Sequence, residues 1–248
     1  MCTLAVAFQA DRRFPLVVAA NRDERLGRPS EGWALRTLPG GALWIGPKDL
    51  EAGGTWAGLS GHGVFAGVTN HRTGEAPDRA LRSRGELVAL ALAHATAAEA
   101  RVALAAAAAD RFNPFHLLVA DAESAFTWWW DGARAGIDVL GPGLHVVTEN
   151  AADERGPRGE LVRARWPIDS APARLRELLT IHSPRPEDPA LGTATCLHLD
   201  PSYGTRSSFL LRLTLRLDAS ELLTADGRPC TTPYEDRGEL LTLLARAA

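Results

Sequence analysis

The order of strand-like and helix-like segments along this sequence predicts an α+β protein. Apolar, β-prone runs lie between Thr3 and Thr69, Ala/Leu-rich helical patterns follow at 83–110, and strand patterns then resume. Strands, then helices, then strands imply layers of helices on sheets. The length of 248 residues, with 46% apolar and 23% charged residues, suits one globular domain over 1–248.

Two hairpins are predicted in the N-terminal part. The first pairs Thr3–Phe8 with Phe14–Ala20, and its second strand ends in the tetrad Asn21–Glu24. The second pairs residues 55–59 with 64–69 across a turn-rich connection. Both hairpins therefore end in polar residues that are candidates for a site.

Helices and strands alternate in blocks after the second hairpin. Ser83-x-x-Glu86 and Thr96-x-x-Glu99 are capping-box patterns, and each predicts the start of a helix. The remaining predicted elements are strands at 116–120, 125–130 and 144–148, a linker-like stretch at 151–159, a helix at 170–180 capped by Ser170, a Pro-rich surface loop at 183–189 and an alternating strand at 209–217.

Composition and charge exclude several classes of function. The net charge of −3 arises from 27 basic and 30 acidic residues without long single-sign runs, which argues against nucleic acid or an anionic membrane as a partner. No segment reaches about 18 uncharged apolar residues, so no transmembrane span is predicted. Three cysteines form an odd set, and the opening apolar run is too short for a signal peptide. We therefore expect a cytoplasmic protein.

Metal and nucleotide cofactors are not predicted. Cys196-x-His198 lacks the spacing of a zinc site, and the seven histidines contain no i, i+4 pair. The glycine pairs at 40–41 and 53–54 lack the strand-to-helix context of a phosphate loop. Trp128–Trp130 is typical of packing, since alternate rings face opposite sides of a strand, although one or two rings can wall an apolar pocket.

Cys2 is the clearest candidate for chemistry. A small second residue favours removal of the initiator Met, which leaves a thiol and a free α-amine on one residue. The amine has a reference pKa of about 7.7–8.0, so it can accept the thiol proton near neutral pH. The alternative is an inert cysteine on a buried first strand, because free cysteines are often buried.

Five segments in order resemble the NRDE family, the family of Transport and Golgi organisation protein 2. They are Met-Cys-Thr at 1–3, Ala-Asn-Arg-Asp-Glu at 20–24, Gly-Gly-Thr-Trp-Ala-Gly at 53–58, Val-Thr-Asn-His-Arg at 68–72 and Tyr-Gly-Thr-Arg-Ser-Ser at 203–208. The resemblance implies the N-terminal-nucleophile (Ntn) hydrolase fold, a four-layer αββα sandwich of two antiparallel sheets. More distantly, the sequence is similar to choloylglycine and penicillin V acylases.

The resemblance also implies roles for particular residues. Asp23 would accept hydrogen bonds from the Cys2 amine, Asn70 would help to hold a tetrahedral oxyanion, and Arg206 would orient the site electrostatically. Further candidates for binding are Asn21, Arg22, Trp56 and Asn150. The alternative is that Asn21–Glu24 is a solvated strand end, Asn70 a turn former and Arg206 part of a surface ion pair.

One position departs from the acylase pattern. Those enzymes place an arginine just before the Asn-x-Asp equivalent, where this sequence has Ala20, and Arg22 instead lies between Asn21 and Asp23. Two-residue alternation puts Asn21 and Asp23 on one face and Arg22 on the other, which predicts that Arg22 misses Cys2.

The function expected from these residues is cleavage of a small amide or thioester through a Cys2 acyl-enzyme. The alternative is a non-enzymatic carrier of haem or of a lipid or acyl-CoA in the same pocket, because the resembled family is associated with such ligands. A purely structural role ranks third. In each case the expected partner is a small apolar or acyl molecule.

Overall fold

The computed structural model describes residues 2–182 and 194–246 of the chain. The Pro-rich segment predicted at 183–189 lies outside the described residues. In chain order, the strands are β1 (Cys2–Phe8), β2 (Leu16–Arg25), β3 (Ser30–Thr37), β4 (Leu43–Asp49), β5 (Ala57–Ser60), β6 (Phe65–Asn70), β7 (Phe115–Ala120), β8 (Ala125–Trp130), β9 (Ala135–Leu140), β10 (Gly143–Thr148), β11 (His198–Asp200), β12 (Tyr203–Leu213), β13 (Glu221–Ala225) and β14 (Glu235–Asp236). The helices are α1 (Gly85–Leu92), α2 (Ala97–Ala105), α3 (Pro157–Arg165), α4 (Pro172–Leu179) and α5 (Gly238–Arg246).

The strands form two seven-stranded antiparallel sheets. The first sheet has the order β10-β1-β2-β12-β13-β14, with β11 paired to β12. The second is a meander from β3 to β9 in chain order. Strand β1 therefore lies inside the first sheet, between β10 and β2, and its first residue stands at an end of the sheet.

Alternation of apolar side chains explains why the two sheets stack. Along β1, Leu4, Val6 and Phe8 belong to the central core between the sheets, whereas Ala5 and Ala7 pack on the outer face. Helices α1 and α2 cover the outer face of the second sheet, and α3 and α4 cover that of the first. The predicted αββα sandwich is confirmed.

Most predicted elements are present, and two of the errors lie at helix starts. The two hairpins and α2 with its Thr96 cap are confirmed, since the Thr96 hydroxyl accepts the Glu99 N–H at 3.1 Å. Helix α1 begins at Gly85 without a side-chain cap, and α4 begins at Pro172, so Ser170 does not cap it. Proline at the first helical position needs no N–H partner, which is why the start of α4 carries no capping-box signal.

Two other predicted boundaries, one of a helix and one of a strand, also need correction. The stretch 151–159 was predicted as a linker, but α3 begins inside it at Pro157. The strand predicted at 209–217 is β12, which starts earlier, at Tyr203, and ends at Leu213. The segment from Tyr203 is polar, and its strand conformation comes from pairing with β2 rather than from an apolar pattern.

Backbone conformation and close packing explain why residues 53 and 54 are glycines. Gly53 has φ +75°, a left-handed conformation that favours glycine. A Cβ on Gly54 would lie 2.8 Å from the Gly85 Cα, and a Cβ on Gly85 would lie 2.5 Å from the Thr55 N. This close approach holds the start of α1 against the strand connection that carries Trp56.

Among the described residues, no helix is both long enough and apolar enough to cross a membrane.

Candidate active site at the start of strand β1

Cys2 and Arg22 face each other across the β1–β2 ladder. Directly paired residues of antiparallel strands project to the same face, and Cys2 pairs with Arg22. The Arg22 guanidinium carbon lies 4.0 Å from the centre of the ring of Trp56, the residue just before β5 of the second sheet. Cys2, Arg22 and Trp56 together line a narrow crevice between the sheets. The prediction that Arg22 misses Cys2 is therefore wrong, because Cys2 itself projects to the Arg22 face.

Asp23 reaches Cys2 through its backbone, and its carboxylate is buried. The Cys2 Sγ lies 3.9 Å from the Asp23 carbonyl oxygen, to which the Tyr203 hydroxyl also donates at 3.2 Å. The Thr205 hydroxyl donates to Asp23 Oδ1 at 2.5 Å, while Oδ2 has no hydrogen-bond partner among the described residues. The site thus holds a carboxylate oxygen that can accept one more donor.

Burial changes the protonation of both groups. It raises the pKa of Asp23 to about 7, and it raises the pKa of the Cys2 thiol above its ordinary value. The Arg22 charge opposes the second effect, because a nearby cation favours the thiolate. A thiol in this position is protonated near neutral pH unless an adjacent base takes its proton.

Buried polar atoms without a hydrogen-bond partner cluster at this end of the sheet. Within the described part of the chain they include Thr3 Oγ1, Asn21 Oδ1, Arg22 Nη1 and Asp23 Oδ2. Each such atom costs roughly 1–3 kcal/mol when left unpaired in the interior. Four of them on two adjacent strand ends favour a binding site over a purely structural one.

Asn21 has a structural contact as well as a place beside the crevice. Its amide Nδ2 donates to the carbonyl oxygens of Leu179 and Thr195, both at 2.8 Å. These bonds tie the end of α4 and the segment before β11 to the site end of β2. Asn21 therefore positions the strand that carries Asp23, and its Oδ1 has no hydrogen-bond partner in the described part of the chain.

A larger cleft adjoins the crevice at the end of β6. Thr69 lines the crevice, and the next residue, Asn70, is exposed and lines a cleft of about 910 Å³. Tyr203 and Trp130 also line this cleft. The crevice and the cleft differ in charge. Arg22 is the charged residue that lines the crevice, whereas the cleft is lined by Arg72, Arg84, Asp78, Asp110, Asp131, Glu75 and Glu149.

Two residues expected at the site have other partners. Arg206 stands at a bulge of β12, its guanidinium donates to Asp226 Oδ1 at 3.0 Å, and it does not line the crevice. Asn150 is exposed in the turn after β10, where its Nδ2 donates to Glu154 Oε2 at 3.3 Å. The Arg206 contact matches the alternative of a surface ion pair, and neither Arg206 nor Asn150 lines the crevice.

Sequence reasoning missed the polar groups that join the sheets near Cys2. The Thr148 carbonyl oxygen, on the strand next to β1, accepts from Thr69 Oγ1 at 3.0 Å and lies 2.9 Å from His116 Nδ1 on the second sheet. Burial lowers the pKa of His116 to about 4, so the ring is neutral. Single threonines and a lone histidine carry no sequence signal for such a bridge.

Buried charge near the site was missed too. Glu149 and Arg158 form an ion pair at 3.4 Å, and both are almost fully buried. Glu149 also pairs at 3.2 Å with Arg72, which is largely exposed. Thr205, which donates to Asp23, was missed as well. It lies in the matched segment 203–208, from which only its neighbour Arg206 was predicted to belong to the site.

Cys196 and His198, whose spacing predicts no zinc site, belong to a group of four possible metal ligands. His182 and Cys230 lie beside them, and the four possible ligand atoms are within 4.8 Å of one another. Spacing in the sequence indicates only local partners, whereas these four residues meet through the fold. None of the four lines the crevice at Cys2.

Solved structures share the fold of this chain. Penicillin V acylase from Agrobacterium tumefaciens matches with a TM-score of 0.58, 14% identity and coverage of 97% of this chain and 88% of that chain. A variant of the conjugated bile acid hydrolase from Clostridium perfringens matches with a TM-score of 0.61, 9% identity and coverage of 96% and 93%. The chain has the α+β sandwich of the Ntn-hydrolase-type acylases.

Sequence comparison then gives the family. The family described as Transport and Golgi organisation 2 matches residues 1–214, and the chain belongs to it. The Transport and Golgi organization protein 2 homolog of Bos taurus is 27% identical over 250 residues, which cover 85% of this chain and 88% of that protein. The Homo sapiens homolog is 30% identical over 134 residues, covering 50% and 47%. These names specify no reaction.

Proposed function

We propose that this protein is an N-terminal cysteine hydrolase that cleaves a small amide or thioester through an acyl-enzyme on Cys2. One observation carries the proposal: the Cys2 thiol faces an inter-sheet crevice and contacts the Asp23 backbone, and the buried Asp23 carboxylate has one oxygen without a partner among the described residues. An inert strand residue requires no such carboxylate. The structural relatives, named as an acylase, a hydrolase and an amidase, support the same class of reaction.

The α-amine of Cys2 is the base in this proposal. Removal of Met1 frees the amine at the start of β1, next to Asp23, whose unpaired Oδ2 supplies an acceptor for it. The amine titrates near pH 7.7–8.0, so a useful fraction is neutral at physiological pH. Because burial raises the pKa of the Cys2 thiol, the thiol needs this adjacent base to become a nucleophile.

The reaction then proceeds in two steps. The amine takes the thiol proton, and sulfur attacks the carbonyl carbon to form a C–S bond while the carbonyl oxygen takes up the electron pair. Collapse of the tetrahedral intermediate breaks the C–N or C–S bond of the substrate, and the protonated amine delivers its proton to the leaving group. Water, activated by the same amine, then cleaves the thioester and regenerates the thiol.

Arg22 is the proposed electrostatic group of the site. Ala20 and Arg22 are two residues apart on β2, so both project to the inner face, and Arg22 supplies the guanidinium that the acylase pattern has at the position of Ala20. Its unpaired Nη1 can bind a substrate oxygen. Asn70, which lines the cleft and follows Thr69 of the crevice, is the proposed amide donor to the oxyanion.

The carrier alternative receives no support from the geometry. The crevice at Cys2 has a volume of about 20 Å³, which suits a water molecule and not a haem or an acyl chain. Substrate would instead approach from the open cleft, with only the scissile group entering the crevice. Binding of haem, lipid or acyl-CoA therefore forms no part of the proposal.

Stopped-flow assays with p-nitrophenyl acyl esters and the matching anilides test the proposal. We expect a burst of about one equivalent of product followed by slower turnover, as an acyl-enzyme requires. Cys2→Ala should abolish both phases, and Cys2→Ser, which keeps a weaker nucleophile, should retain a slow acylation. A burst that persists in Cys2→Ala would contradict the assignment, as would a protein without Met1 that forms no adduct with any acyl chain length tested.

A further inference from the structure

Four side chains from three separate segments converge on one point, away from the Cys2 crevice. His182 follows α4, Cys196 and His198 lie on either side of the start of β11, and Cys230 lies in the connection between β13 and β14. Two thiols and two imidazoles are the donor set of structural zinc sites. Their ligand atoms all lie within 4.8 Å of one another.

The distances match the edges of a tetrahedron around zinc. The two sulfur atoms of Cys196 and Cys230 are 3.7 Å apart, and His198 Nε2 lies 3.7 Å from the first and 3.3 Å from the second. Zn–S bonds of about 2.3 Å and Zn–N bonds of about 2.0–2.1 Å, at tetrahedral angles, require S–S edges of about 3.8 Å and S–N edges of about 3.6 Å. The three measured edges are therefore close to those of a bound ion.

Backbone hydrogen bonds fix the segments that carry the ligands. The Ile181 carbonyl oxygen accepts from the N–H groups of Thr195 and Cys196 at 3.0 and 2.9 Å, which places His182 next to Cys196. The His182 and His198 rings meet edge to face with their centres 4.7 Å apart. Near Cys230, the N–H of Thr232 donates to the Arg228 carbonyl oxygen at 2.8 Å and closes a turn. The cluster is thus held by local structure on each side.

We propose that His182, Cys196, His198 and Cys230 form a structural Zn²⁺ site. Two thiolates and two neutral imidazoles complete a four-coordinate sphere, which leaves no open position for a substrate. Thiolate and imidazole ligands select zinc over magnesium and calcium, which prefer oxygen. The ion would join α4, β11 and the β13–β14 connection, three segments distant in sequence.

The site would also support the region around Asp23. The N–H of Leu197, between two of the ligands, donates to Thr205 Oγ1 at 2.8 Å, and that hydroxyl donates to Asp23. A metal that fixes residues 196–198 therefore fixes the partner of the Asp23 carboxylate. This role is independent of whether Cys2 acts as a nucleophile.

Metal content and cobalt spectroscopy test the proposal on the full chain. Protein purified under reducing conditions without added chelator should contain about one zinc per chain. After chelation, Co²⁺ should bind one per chain and give the visible absorption of a tetrahedral ion with a thiolate charge-transfer band, and Zn²⁺ should displace it. Zinc should also raise the Tm of the chelated protein, since the ion binds the folded state.

Matched variants assign the ligands. His198→Ala removes an exposed side chain, so it should not prevent folding, and it should weaken Co²⁺ binding by more than the roughly 10–100-fold that loss of an outer-shell partner produces. The control His62→Ala, at another exposed histidine, should leave binding unchanged, and so should Cys2→Ala. Cys230→Ser should remove the thiolate band in part.

Three results would overturn the proposal. The first is reduced protein that contains no zinc and binds no Co²⁺. The second is a cobalt spectrum that His198→Ala does not change. The third is an obligatory Cys196–Cys230 disulfide, seen as a mass lower by two hydrogens before reduction, in a chain that binds no metal once reduced.

Discussion

Replacement of Asp23 by asparagine should stabilise the protein at alkaline pH. Burial raises the pKa of this carboxyl group to about 7 in the folded protein, against about 3.9 in an unfolded chain. The protonated form therefore favours folding. Its contribution is fully present below about pH 3.9 and is lost as the pH rises through about 7. The amide of the Asp23→Asn variant would not titrate, and its Oδ1 can still accept the bond from Thr205.

The size of the effect follows from the same two pKa values. About three pKa units at 1.36 kcal/mol each give about 4 kcal/mol as the upper limit of the gain in free energy of unfolding for Asp23→Asn above pH 7. A charged α-amine beside the carboxylate reduces this gain. Urea unfolding at pH 4, 6 and 8 measures it, with Glu24→Gln on the same strand end as control. A variant that is less stable than wild type at pH 8, or a difference that does not change with pH, would refute the reasoning.

Three further substitutions test other parts of the structure. Arg22→Lys should slow acylation about 10²-fold in stopped-flow assays, because it loses a guanidinium donor. Arg206→Lys should leave the burst rate unchanged. Equal effects of the two substitutions would contradict the role of Arg22 in the site. Arg158→Ala should lower the free energy of unfolding, measured in urea, by about 3–5 kcal/mol, because the buried Glu149 loses its buried partner. Arg72→Ala, which removes the exposed partner of the same carboxylate, should lower it by at most about 1 kcal/mol. Gly85→Ala should lower the free energy of unfolding by about 1–3 kcal/mol, because its Cβ would lie 2.5 Å from the Thr55 N. Gly27→Ala, where a Cβ has open space, should lower it by less than about 1 kcal/mol. Similar values for the two substitutions would contradict the close approach at Gly85.

The sequence predicted the part of the site that local pairing determines. A hairpin that begins at Thr3 and returns through Ala20 must bring the Asn21–Glu24 tetrad beside Cys2, and the observed pairing of Cys2 with Arg22 does so. The two-residue alternation of side chains along β2 correctly predicted that Arg22 and Asp23 lie on opposite faces of the sheet. The face on which Cys2 lies could not be read from a strand's first residue, so the relation between Cys2 and Arg22 was predicted wrongly.

Features that depend on distant segments were not predictable in the same way. Arg206 was chosen from a motif, but a bulge in β12 turns its guanidinium to Asp226. Asn150 binds Glu154 in its own turn. The Cys196 cluster joins residues up to 48 positions apart, His182 and Cys230 being its ends, and no local spacing reports such a contact. Strand pairing and loop geometry, rather than pattern, decide each of these cases.

The mass of the protein made in its native host, before and after reaction with an acyl ester, tests the central claim most directly. We expect a chain that lacks Met1 and gains one acyl group, and peptide mapping should place that group on Cys2. Cys2→Ala should gain none. A chain that retains Met1, or an acyl group found on Cys196 or Cys230 instead, would contradict the assignment of Cys2 as the nucleophile.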